Sequence, residues 1–369
     1  MREGPLLKSL GRSGQIALAL FVLTSMVMVP LLRLLPETSA FHPSDFVVTW
    51  LGKILCYMVL ALALDLVWGL TGILSLGHGV FFAIGGYCFG MYLMRSIGHD
   101  GVYKSDLPDF MVFLDWKEYP WFWTGTQHFW WAIFLVIMVP AVLAFVVGFF
   151  AFRSRIKGVY FSIITQALTY ATMLLFFRNE TGFGGNNGFT DFKRILGMDV
   201  TSGGMRTTLF VLSAALLATT LLGSLWLARS RFGRILTAIR DAESRLQFCG
   251  YDTLWYKLTI WTLSAVIAGV AGALYVPQVG IINPSEMSPA NSIEVAIWVA
   301  VGGRGTLVGP LVGAAMVNMG KSWLTANFPN LWLYALGGLF IFVTLFLPNG
   351  VMGLVSGLLR RMGKSGASS

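Results

Sequence analysis

The chain's 369 residues are 56% hydrophobic and only 12% charged, with a mean hydropathy of +0.72. A soluble globular protein carries about 25% charged residues, so this composition excludes a water-facing exterior. The net charge of +9 does not point to nucleic acid, because the basic residues fall in short clusters between apolar runs, as membrane topology requires.

Arg2, Lys8 and Arg12 precede an apolar run from Ile16 to Leu35, and Thr38, Ser39 and Ala40 faintly resemble a cleavage site. A signal-peptide core is about 7–15 residues long. This run is longer, so it is expected to remain as a first transmembrane helix. A helix needs about 20 apolar residues to cross the hydrocarbon. Runs near that length cover 46–66, 129–152, 158–177, 207–228, 256–276 and 330–347. Three shorter ones, 79–95, 290–301 and 306–326, are interrupted or flanked by glycine. The expected fold is an all-α integral membrane protein of ten helices, some short or broken.

Orientation follows from the loops. Arg153, Arg155 and Lys157 form one basic cluster, Arg229, Arg231, Arg234, Arg240 and Arg245 a second, and Arg360, Arg361 and Lys364 a third. The loop 96–128 instead carries Asp100, Asp106, Asp109, Asp115 and Glu118 against Lys104 and Lys117. Positive loops stay inside, so both termini are expected in the cytoplasm, the tail 361–369 included. The polar stretches 96–128, 178–206 and 229–255 are too short for a soluble core. Cys56 and Cys88 lie in apolar runs and Cys249 in a basic loop, which makes no disulfide framework.

The stretch GLTGILSLGHG (69–79) is too rich in glycine for an ordinary span. Gly86 with Gly90, and Gly309 with Gly313, have the spacing of close helix packing. That spacing does not account for Gly69, Gly72, Gly77 and Gly79, which lie among Ser75 and His78. Irregular backbone at membrane depth is tolerated where it is buried in protein or lines a water-filled path, so 69–79 is expected to be a break beside a translocation path. SLGHGVFFAIGG (75–86) is faintly echoed by TLVGPLVGAAMV (306–317), and transporters carry broken helices at matching positions of internal repeats.

Asp65, His78 and Glu294 are the ionisable groups nearest apolar interiors, a placement that marks a path or a buried pair. The alternative is that Asp65 and His78 are solvated at the cytoplasmic interface, and that Glu294 is solvated near the outer end of a short helix. A lone histidine does not make a metal site; no metal and no cofactor are expected.

In RSRFGRILTAIRDAESRLQFCGYD (229–252), Phe232, Ile235, Leu236, Ile239 and Leu246 line one face of a helix. Arg234, Arg240, Asp241, Glu243 and Arg245 occupy the other. An interfacial helix lying on anionic lipid is one reading. The mixed signs favour a protein partner, because opposed charges fix a register. GKS at 320–322 and 363–365 lacks the glycine a phosphate loop requires, and GFGGNNG (182–188) follows no strand. No Ser/His/Asp or His/Glu set suggests an enzyme.

GLTGILSLGHGVFFAIGGY (69–87), FGRILTAIRDAESRLQFCGYD (232–252) and GIINPSEMSPANSIEVAIWVAVGGRGTLVGPLVGA (280–314), in that order, resemble a permease of the branched-chain amino acid family of ATP-binding-cassette importers. GFGGNNGFTDFKRILG (182–197) resembles the second permease of the urea transporters within that family. The resemblance implies one polytopic permease domain over 1–369 in the bacterial inner membrane. It implies a second permease, two cytoplasmic ATPases docked on 229–255 (Phe232 to Arg245, with Gly250) and a periplasmic binding protein. It also implies urea or short amides as solute, with branched-chain amino acids as the alternative and a stand-alone urea channel as the reading of a different class. Gly72, Ser75, Gly77, His78, Gly79, Asn283, Asn291 and Glu294 are the expected path residues. Ser285 and Ser292 suit either solute.

Overall fold

The computed structural model describes residues 27–36, 39, 41–156, 158–347 and 350–354. The run 16–35 is helical at 27–32; its beginning and the tail 361–369 lie outside the described residues. Each of the nine other apolar runs is a helix: α1 (Asp45–Thr71), α2 (His78–Arg95), α3 (Phe129–Arg153), α4 (Val159–Phe177), α5 (Gly203–Arg229), α7 (Thr253–Val279), α8 (Pro289–Gly302), α9 (Gly309–Asn327) and α10 (Trp332–Phe346). A polar helix, α6 (Arg231–Phe248), sits between α5 and α7. Among the described residues α1, α3, α4, α5 and α7 are each long and apolar enough to cross a membrane.

Capping residues fix where the helices start. Ser202, Ser230 and Ser288 accept from the amides of Met205, Gly233 and Asn291 at 3.2–3.3 Å, which satisfies donors the first turn leaves free. α1 and α7 end on Gly72 and Gly280 in the left-handed region, where a Cβ would be strained.

The central helix is α7, which packs against α1, α2 and α3. Ala265, Ala268, Ala271 and Ala273 are buried along it, and its glycines let backbones touch. A Cβ on Gly272 would stand 1.8 Å from the carbonyl oxygen of Phe82 in α2, and one on Gly85 2.1 Å from that of Gly269. Trp261, fully buried, donates from Nε1 to the Ala144 carbonyl in α3 at 2.8 Å. The pair α8 and α9 closes in the same way, with Gly313 against the Trp298 carbonyl. The glycine spacings that predict packing are therefore packing contacts.

Contacts sort the helix ends into two sets. Beside the start of α1, Asp45 pairs with Arg33 and, at 2.9 Å, with Arg206 of α5, and Trp50 donates to Ser322 of α9 at 3.0 Å. Also at that end, β1 (Phe189–Thr190) pairs antiparallel with β4 (Ile281–Ile282), while β2 (Arg194–Ile195) and β3 (Met198–Asp199) form a small hairpin. The end of α1 meets α6 and the 303–308 connection between α8 and α9.

Candidate functional site

The break expected at 69–79 is present: α1 stops at Thr71, and α2 starts at His78. The chain between them runs along α4, whose hydroxyls take the place of helical partners. Ser162 Oγ donates to the Leu74 carbonyl (2.8 Å), the Leu76 amide donates to Thr165 Oγ1 (3.0 Å), and Thr169 Oγ1 donates to the Leu76 carbonyl (3.2 Å). A Cβ on Gly77 would press on Thr165 at 3.1 Å. His78 is 1% exposed, its Nδ1 bonded to Ser75 Oγ (3.0 Å) and its Nε2 to Ser264 Oγ (2.7 Å). Solvation at an interface is therefore excluded for His78, as it is for Asp65.

Asp65 is fully buried and holds the second break. Its two carboxylate oxygens accept from the amides of Gly305 (2.7 Å) and Leu307 (3.1 Å), in the connection from α8 to α9. One turn further along α1, the Gly69 carbonyl accepts from Arg240 Nη1 of α6 at 2.8 Å, and Arg304 stacks over Trp68 at 5.1 Å. The end of α1 thus joins α6 to the α8–α9 connection through fixed polar contacts. Both broken stretches open a helix after a six-residue connection, 72–77 before α2 and 303–308 before α9.

At the middle of α1 lies a cavity of about 190 Å³, lined by Lys53, Tyr57, Gly79, Tyr275, Glu286, Glu294, Trp298 and Lys321 among others. Lys53 to Leu60 sit roughly 12–24 Å along a helix of about 40 Å, at 1.5 Å per residue. Below them α8 starts, a helix of 14 residues and so too short to span a bilayer alone. Glu294, 4% exposed, takes both oxygens to Lys321 Nζ (3.0 and 2.8 Å). The alternative that water solvates Glu294 fails, because its carboxylate is buried against Lys321 of α9. Glu286 accepts from the Tyr275 hydroxyl at 3.0 Å, which in turn accepts from Tyr57 at 3.1 Å. A larger cavity, about 350 Å³, opens among the connections around 103–114 and 179–191. Its Asp109 is already taken by the amides of Val102 and Tyr103 (2.9 and 3.2 Å), so the mid-depth cavity is the better site.

α6 carries the expected apolar face, with Leu236 and Ile239 buried and Phe232 against Tyr256. It kinks at Ala242. Its charges divide into two groups. Arg240 reaches Gly69, and Glu243 turns inward onto the buried Lys257 of α7 (2.7 Å) and Thr253 (2.9 Å). Arg231, Arg234, Asp241 and Arg245 stay at the surface. After the kink Phe248 is 92% exposed, with Tyr251 and Trp255 also outward. Gly250 follows in a left-handed turn.

The family described as branched-chain amino acid transport system / permease component matches residues 46–345. The chain belongs to that permease family. The permease is 28% identical over 320 residues to the high-affinity branched-chain amino acid transport system permease protein LivM of Salmonella typhimurium, and 27% identical over 320 residues to LivM of Escherichia coli. Each match spans 80% of this chain and 67% of the relative. A probable branched-chain amino acid permease LivM of Methanocaldococcus jannaschii is 25% identical over 79% of this chain and 84% of its own. No solved structure matches. The permease is thus a multi-pass inner-membrane protein and an ATP-binding-cassette-type permease subunit of the branched-chain amino acid transport family.

Of the expected path residues, Gly79, Asn291 and Glu294 come together in the permease's cavity. Gly72 ends α1 against Arg240, and Ser75, Gly77 and His78 pack between α2, α4 and α7. Asn283 caps the turn Pro284–Met287, its Oδ1 accepting from the Ser285 amide at 3.0 Å. Sequence reasoning missed Lys53, Tyr57, Tyr275, Glu286 and Lys321. Lys53 and Lys321 carry a signal, a charge inside the apolar runs 46–66 and 306–326.

Proposed function

We propose that this permease is a membrane subunit of an ATP-driven importer of branched-chain amino acids. Ten helices cross the membrane with both termini in the cytoplasm: the helical stretch 27–32 belongs to the first, and the helix ends near Arg153, Arg155 and α6 face inward. The permease forms the path with a second, related subunit, receives solute from a periplasmic binding protein, and is driven by two ATPases that dock on α6. The exposed face of α6, with Phe248 at its end and Arg231, Arg234 and Arg245 at its surface, carries this reading, because exposed aromatic and arginine side chains suit a protein partner. The solute assignment is supported by the relatives' names and by a cavity holding charges of both signs.

The test is uptake of labelled leucine and labelled urea in cells lacking the chain, with and without the gene restored. Leucine uptake is expected to fall at least about tenfold without the chain, while urea uptake is unchanged. The opposite result would return the urea reading, which rests on the 182–197 stretch.

A further inference from the structure

Four charged groups line the mid-depth cavity, and they are not equivalent. Glu294 and Lys321 neutralise each other through two hydrogen bonds. Lys53 lies 5.6 Å over the Tyr57 ring, and among the described residues no carboxylate stands within ion-pair distance of it. Glu286 is held by the Tyr275 hydroxyl but has no cation within ion-pair distance among the described residues. Trp298 contributes a buried indole N–H with no hydrogen-bond partner among the described residues. A half-buried ammonium and a half-buried carboxylate that attract each other across one cavity without closing into an ion pair, beside a buried donor with no partner among the described residues, leave these groups incompletely satisfied. A ligand bearing one charge of each sign would relieve all three.

We infer that this cavity binds the head group of a zwitterionic α-amino acid, with Lys53 and the Trp298 N–H receiving its carboxylate and Glu286 its ammonium. Leu60, Phe82 and Val295 supply the apolar wall for its side chain. A neutral solute such as urea can hydrogen-bond here but completes neither ion pair. The inference rests on the branched-chain reading for the identity of the side chain, and on the cavity alone for the head group. It places a selective site inside the permease, in addition to any in a binding protein.

The experiment has two parts. Leucine uptake is measured in cells carrying Lys53→Met, Glu286→Gln or Lys53→Arg, with the protein level in the membrane checked for each. Loss of at least about tenfold for the first two, with substantial uptake kept by Lys53→Arg, is the expected result; wild-type uptake by Lys53→Met and Glu286→Gln overturns the site while leaving the importer intact. The second part uses the purified full chain in lipid nanodiscs and saturation-transfer NMR, and it decides the matter even if a variant fails to accumulate. Leucine should give a signal that valine displaces, whereas urea, leucinamide and 4-methylpentanoate, each lacking one or both charges of the zwitterion, should not. Displacement by 4-methylpentanoate or urea as strong as by valine overturns the inference. Uptake of leucine that never depends on the chain overturns the branched-chain reading itself.

Discussion

Asp65→Asn is expected to reduce leucine uptake by at least about tenfold and to lower the thermal stability of the purified permease. The carboxylate accepts from two buried amides, those of Gly305 and Leu307. An asparagine offers one acceptor oxygen and turns an NH2 group toward the second amide, so two donors face each other. A buried donor left without a partner costs roughly 1–3 kcal/mol, and that cost falls on the connection between α8 and α9. The same connection is tied through α1 to Arg240 of α6. Loss of Asp65 should therefore also weaken the link between α6 and the half-helix α8 beside the cavity. Uptake and a melting curve measured on the same preparation check this. Full uptake with an unchanged melting temperature would show that the α8–α9 connection holds without Asp65.

The second large effect is steric. Gly272→Val should leave little folded protein in the membrane, and even Gly272→Ala should lower the melting temperature measurably. The nearest atoms to an added Cβ are the carbonyl oxygen and carbon of Phe82, at 1.8 and 2.7 Å, followed by the amide of Gly86 at 3.2 Å. These are backbone atoms of α2, so relief requires α2 and α7 to separate, and overpacking of a close contact typically costs about 1–3 kcal/mol or more. Gly223→Ala in α5 is the control, since a Cβ there meets nothing within 4 Å among the described residues; it should be neutral or stabilising by up to about 1 kcal/mol. Equal behaviour of Gly272→Ala and Gly223→Ala in a thermal melt would contradict the packing.

Much of this architecture is legible in the chain, because each span must be a nearly continuous apolar run. The nine described helices of the bundle start and stop within a few residues of those runs, and the glycine-rich break lies where its irregular spacing places it. The apolar stripe of α6 was also legible, since 3.6-residue periodicity survives in a short polar segment. What the periodicity cannot carry is the neighbour each polar side chain meets. Glu243 was assigned to a partner-facing surface by its place on the polar face, yet it turns to Lys257. His78 and Asp65 could be read as solvated, and only the tertiary fold shows Ser75, Ser264 and the 305–307 amides around them. The cavity was the least legible part. Lys53, Tyr275, Glu286 and Lys321 are spread over nearly 270 positions of the sequence and share no spacing.

The claim that this is the membrane half of an ATP-driven importer is tested most directly at Phe248. That side chain is 92% exposed, so Phe248→Asp should change the fold's stability by no more than about 0.5 kcal/mol, and any loss of transport reports on what docks there. Leucine uptake is measured with the variant present at the wild-type level in the membrane. A fall of at least about tenfold is the expected result. Undiminished uptake would contradict ATPase docking on this face of α6.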